Sequence, residues 1–246
     1  MREALRSEFV KQHTTKTTVS LLGAMLGLVL VSVLLHGFGF SARDLAIRSN
    51  QLRVFVEAGE GLGATFAGLL GAMSVTTEVR NGTIRPTFLS IPQRGRVIAA
   101  KATTSMLTGL AFGLVATGIA ALIGTIVLSG RGIPVQLDGS GYALLLAGGA
   151  SAAALWAVIG VGIGAIVRNQ VIAIVAIFVW IEIVENLLVD SAPAISRYMP
   201  ATLGQAITGD RIGALHTPAL GAALLALYAT VAIAAGWRTT TRRDFA

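Results

Sequence analysis

Glu182, Glu185 and Asn186 stand at i, i+3 and i+4 inside an otherwise apolar run, residues 171–189. In a helix that spacing puts all three on one face. Two carboxylates side by side can act as a general acid and base, and they can attract a cation. If the run crosses a bilayer from residue 171, helical rise carries Glu182 about 16 Å along, just past the midplane toward the outer side. Three arrangements fit the pair: lining a translocation path, pairing with an outer-side arginine such as Arg197 or Arg211, or facing a shallow wet vestibule. The rest of the chemical inventory is short. The three lysines, Lys11, Lys16 and Lys101, follow Val10, Thr15 and Ala100. None belongs to the Gly-Lys-Ser/Thr of a phosphate-binding loop, so the chain is not expected to hydrolyse ATP by that chemistry. His13, His36 and His216 are far apart and cysteine is absent, which excludes thiolate catalysis and disulfides and makes a zinc site unexpected.

Such carboxylates must be positioned by elements that tolerate lipid. Of 246 residues, 54% are apolar and only 13% charged, and mean hydropathy is +0.75. Soluble domains run at about 45–50% apolar and about 25% charged, so the chain reads as a membrane protein. A spanning helix needs about 20 mostly apolar residues. Charge-free stretches of that order occupy 17–42, 61–77, 102–130, 139–167 and 212–237, the second near the short limit. Residues 171–189 make a sixth span that carries Glu182 and Glu185. The first apolar run is longer than a signal-peptide core and lacks a small-x-small cleavage site, so it reads as a retained span. The expected fold is all-α and integral to the membrane: one domain, 1–246, of six transmembrane helices.

Net charge is +7. With the N-terminus inside, thirteen of the nineteen Lys and Arg residues fall in inner segments, including all three lysines, and six fall outside. The positive-inside rule then makes both termini cytoplasmic. The basic balance serves topology, and no nucleic-acid partner is expected. Asn81-Gly82-Thr83 fits a glycosylation acceptor by spacing only, because it lies in an inner loop. Small residues recur at every fourth position (Gly59, Gly63, Ala67 and Gly71; Gly109 and Gly113; Gly160 and Gly164), which allows close backbone approach within a bundle or at a dimer contact.

The longest inner loop, 78–101, reads EVRNGTIRPTFLSIPQRGRVIAAK. Asn81-Gly82 is a turn signal, after which Thr83 can cap a short helix over IRPTFLS. With Glu78, Gly82-Thr83, Arg85, Pro92, Arg94 and Lys101 at this spacing, the loop resembles that of the membrane subunits of ABC transporters of the second exporter-type permease class, with six spans and the type V fold. The opening Glu8-Phe9-Val10-Lys11 and Thr14-Thr15-Lys16-Thr17 and the ending Arg242-Arg243-Asp244 are also similar.

The resemblance implies a cytoplasmic coupling helix in 78–101 that docks on a separate ATPase, with Glu78, Gly82, Thr83, Arg85, Pro92 and Arg94 as coupling residues. It implies two ATPase copies carrying ATP and Mg, a second permease, and no cofactor on this chain. It implies further that 1–16 forms an interfacial helix. The residues agree there, since Met1, Leu5 and Phe9 stand at i, i+4 and i+8 beside Arg2, Arg6 and Lys11. Segment 190–217, punctuated by Pro193, Pro200, Gly204 and Gly209, is expected to form two short external or re-entrant helices. The functional expectation is the permease of an ATP-driven exporter in a bacterial plasma membrane, moving a drug, antibiotic or peptide. The alternatives are export of lipid or polysaccharide, a membrane enzyme using Glu182 and Glu185, and an immunity or sensor scaffold.

Overall fold

The computed structural model of the protein describes residues 2–39, 51–90, 93–135, 137–209 and 216–242. The described residues are helical with short connections. In order they form α1 (Arg2–Thr14), α2 (Lys16–Gly39), α3 (Gln51–Arg80), α4 (Ile84–Ser90), α5 (Arg94–Gly130), α6 (Gly139–Val167) and α7 (Gln170–Val179). A π turn, Trp180–Glu185, leads from α7 into α8 (Asn186–Ser191), and α9 (Pro193–Ser196), α10 (Pro200–Ile207) and α11 (Pro218–Arg242) complete the chain. Six helical stretches are long and apolar enough to cross a membrane: Lys16–Gly39, Leu52–Arg80, Arg94–Gly130, Gly139–Val167, Gln170–Val189 and Pro218–Arg242. The six expected spans are present.

Two spans differ from the charge-to-charge reading. The second is a 30-residue helix rather than the near-minimal 61–77, because it continues through Glu57 and Glu60. The third begins at Arg94 and runs for 37 residues, so Lys101 stands two turns inside it instead of at its mouth. Charge marks a span end only where the charge faces water. Glu60 is 3% exposed and Lys101 is 1% exposed, and both face protein.

Helices α3 and α6 form the centre, each with 67% of its most apolar stretch buried, whereas the outer spans α2 and α11 keep most of theirs for lipid. Small residues set the crossings. A Cβ on Gly160 would overlap the Gly68 carbonyl oxygen, and one on Gly71 would overlap that of Ala157. Gly109 would place a Cβ 2.8 Å from the Ala153 oxygen across the α5–α6 seam. The small-residue stripes are therefore consumed inside the chain, where backbone-to-backbone contact replaces the hydrophobic drive that lipid does not supply. Larger side chains fill the flanks, with Met25, Val29, Phe55, Phe112 and Leu128 on one side and Trp156, Ile177, Leu203 and Leu225 on the other.

Local signals end the helices. Asp138 caps α6, accepting from the Gly141 amide at 2.8 Å, and the Ser140 hydroxyl with that amide holds its carboxyl below the usual carboxylate range. Arg168 adopts a left-handed conformation (φ 56°) and Asn169 caps α7 through the Ile172 amide, so two residues reverse the chain between spans. At the other end of the bundle α10 is buried among α3, α6 and α11, held by Pro200 at its first turn and Leu203 in the core.

Candidate functional site

The motif Glu78-x-x-x-Gly82-Thr83 is a helix stop and restart. The Thr83 amide donates to the Glu78 carbonyl at 3.0 Å and the Gly82 amide to that of Val79 at 3.2 Å, with Gly82 at φ +68°. These are the paired bonds of a Schellman cap, and a left-handed position favours glycine. Thr83 then opens α4, its carbonyl accepting from the Thr87 amide. The observed α4 matches IRPTFLS residue for residue. Its last turn carries Leu89, which is 83% exposed. The side chain of Arg85 and the whole of Pro92 lie outside the described residues.

The side chain of Glu78 turns inward, into a group of four charges. Lys101 Nζ donates to Glu8 Oε2 at 2.8 Å and to the Ser74 carbonyl at 3.0 Å, and it lies 2.9 Å from Glu78 Oε1. All three ammonium protons are used. Lys11 Nζ bridges the same carboxylates, 3.0 Å from Glu8 Oε1 and 2.9 Å from Glu78 Oε1. Partial burial disfavours the Lys11 ammonium, but the two carboxylates outweigh it and hold its pKa above the usual value. Helix α1 is docked further by Gln12, which donates to Ser105 Oγ and accepts from Thr108 Oγ1, each at 2.8 Å. The buried face of α1 is thus polar (Glu8, Gln12), while Phe9 and Val10 stay exposed. Four side chains from α1, α3 and α5 lock α1 to the two spans that bracket α4.

Arg94 closes the same region by donating to the Thr240 carbonyl at 3.1 Å, and Arg168 donates to that of Thr239 at 3.0 Å. Both serve the last turn of α11, where carbonyls have no helical partner. Sequence reasoning missed Lys11 and Lys101 as the partners of Glu78, and Glu8 as the second carboxylate that they share. The available signal was Lys101 itself, one of only three lysines, placed beside the apolar run VIAA that belongs to α5.

The carboxylates of the fifth span have separate duties. Glu185, 2% exposed, accepts from Trp180 Nε1 at 2.7 Å and from the amides of Ala201 at 2.8 Å and Thr202 at 3.3 Å. Those amides are orphan donors of the first turn of α10, so Glu185 caps a helix distant in sequence. Asn186 Nδ2 donates to the Glu182 carbonyl of its own chain turn at 3.0 Å. Glu182 Oε1 accepts from Thr65 Oγ1 at 3.0 Å. Arg197 lies over the Tyr198 ring, 4.9 Å from its centre, and among the described residues it makes no ion pair with either carboxylate. Arg211 lies outside them. Glu185→Ala is expected to strip α10 of its cap at a cost of about 1–3 kcal/mol. Hydrogen exchange at the Ala201 and Thr202 amides should rise well above that of the α6 core, and unchanged protection there would contradict the capping role.

Glu182, Glu185 and Asn186 border a cavity of about 650 Å³ with Glu57 and Glu60 of α3, His36 of α2, Trp156 of α6 and Gln205 of α10. Glu60 Oε2 accepts from Thr208 Oγ1 at 3.0 Å. Among the described residues no trio of His, Asp or Glu side chains converges closely enough to hold a metal ion.

Six membrane-crossing helices with charge buried at both ends of the bundle define a multi-pass α-helical membrane protein. Residues 4–184 match the model for the ABC-2 family transporter protein, and the chain belongs to that family. It is accordingly a membrane transport subunit and not itself an ATPase, and membership implies association with an ATPase subunit. The match takes in α1, the helix stop at Gly82, α4 and the span as far as Glu182. No curated protein matches the chain.

Proposed function

We propose that the chain is the permease of an ATP-driven exporter of the type V fold in a bacterial plasma membrane, with both termini cytoplasmic, moving a hydrophobic or amphipathic compound outward. Two copies of a separate ATPase hold ATP and Mg, and a second permease, identical or different, completes the transporter. Helix α1 lies on the inner leaflet with Phe9 and Val10 toward lipid, α4 is the coupling helix, and α10 closes the outer end.

One observation carries this reading. A seven-residue helix, set between two long spans by a Schellman cap, carries a nearly bare leucine in its last turn. An exposed Leu on a short, well-anchored helix is a knob suited to a partner's groove. The four-charge group gives the coupling a path, because a push on α4 reaches α3 and α5 through Glu78 and Lys101 and reaches α1 through Glu8 and Lys11. In this arrangement Glu78 transmits force by bracing the loop internally. Lipid or polysaccharide export would use the same coupling. The enzyme alternative loses its acid–base pair, since the Glu185 carboxylate is already engaged by Trp180 and two amides.

The test is co-purification from native membranes in mild detergent. A stoichiometric P-loop protein should accompany the chain and be lost on Leu89→Asp, while the variant elutes as a single species with unchanged helicity. Arg85→Ala tests the coupling role that the family resemblance gives that residue. If no ATPase co-purifies under conditions that preserve other membrane complexes, α4 is not a coupling helix. A different six-span chain in the eluate would establish a heterodimeric pump.

A further inference from the structure

Among the described residues, the 650 Å³ cavity between α2, α3, the π turn and α10 is bordered by four carboxylates and by no lysine or arginine. Two of the carboxylates have donors that hold them in place: Glu185 caps α10, and Glu60 receives the Thr208 hydroxyl. Glu182 differs. Its Oε1 accepts from Thr65, and among the described residues Oε2 meets no donor. A second observation comes from α6. Trp156 is 2% exposed and borders the cavity, yet its indole N–H meets no acceptor. A buried indole N–H ordinarily finds one. Much of the remaining lining is apolar, including Leu28, Val31, Leu35, Val54 and Ile181.

We infer that this cavity binds an amphipathic organic cation, with the positive centre at Glu182, an oxygen acceptor at the Trp156 indole N–H, and the apolar body between them. The volume lies within the roughly 300–1,000 Å³ of small-molecule sites. The apolar walls, and the lack of a converging trio of ligands among the described residues, disfavour a compact inorganic ion. On the reading of the chain as an exporter permease, this ligand is its cargo class. The binding itself needs only this chain.

The test is equilibrium binding to the purified full-length chain in phosphatidylcholine nanodiscs, without ATPase or nucleotide. Tetraphenylphosphonium and tetraphenylborate share size and shape but carry opposite charge, and tetracaine adds an ester oxygen to a cationic amine. The two cations should bind saturably and the anion should not. Glu182→Gln should weaken both cations at least tenfold. Trp156→Phe should weaken tetracaine several-fold and leave tetraphenylphosphonium unchanged. Gly61 borders the cavity, and a Cβ there meets nothing within 4 Å, so Gly61→Leu adds bulk at the cavity wall from a position that accepts a side chain, and should weaken binding of both cations in a chain that folds normally. Equal binding of tetraphenylborate, or cation binding that survives both Glu182→Gln and Gly61→Leu, would show partition into lipid only and overturn the site. An effect of Trp156→Phe on neither cation, or equally on both, overturns the role given to its N–H. Loss of ATP-dependent efflux with intact binding would instead count against the exporter reading.

Discussion

Lys101→Met should be among the most damaging single substitutions in the chain, costing about 3–5 kcal/mol, because it leaves Glu8 and Glu78 buried with their main counter-charge gone. The lysine is fully enclosed and its three protons are spent on two carboxylates and the Ser74 carbonyl. The partner cation behaves differently. Lys11 bridges the same carboxylates but its side chain is 46% exposed, so solvent screens it and Lys11→Ala should cost no more than about 1 kcal/mol. Thermal unfolding in detergent separates the two variants. Adding Glu8→Gln and Glu78→Gln to Lys101→Met removes the stranded charges and should recover a large part of the loss. If Lys101→Met unfolds at the temperature of the parent chain, the four-charge group is not holding α1, α3 and α5 together, and its place in coupling falls with it.

Gly160→Val should prevent α3 and α6 from closing. Even a Cβ at this position would overlap the Gly68 carbonyl oxygen and come within 3.0 Å of the Ala72 nitrogen, and both are backbone atoms of a packed helix that cannot rotate aside. Overpacking typically costs about 1–3 kcal/mol where side chains can adjust, so the expected loss lies at or above the upper end of that range. Gly27 is the natural control. It sits in α2 with nothing within 4 Å of its Cβ position, and Gly27→Ala should leave stability within about 0.5 kcal/mol of the parent. Expression, elution profile and unfolding temperature read both. Equal tolerance of the two substitutions would mean that the α3–α6 crossing is looser than its backbone contacts indicate.

The two variants act on different layers of the molecule. Lys101 belongs to the polar fastening at one end, and Gly160 to the crossing on which the whole bundle is threaded. A transporter must let some helices move while others stay fixed. The tight glycine seam between α3 and α6 suits the fixed part.

The sequence by itself determined the number of spans, because lipid imposes a length and a polarity that a one-dimensional count can measure. It determined α4 to the residue, because Asn-Gly followed by Thr acts through local backbone preference and needs no distant contact. It also marked Glu182, Glu185, Glu78 and Arg94 as residues whose chemistry requires an explanation. What only the tertiary structure decided is where those side chains end. Glu78 meets Lys101 and Lys11, Arg94 meets a carbonyl of α11, and Glu185 caps a helix that begins fifteen residues later. The true length of α3 and α5 was hidden for the same reason. A buried charge and a solvated one look alike in a sequence, and what separates them is the counter-charge or donor that the fold brings from elsewhere.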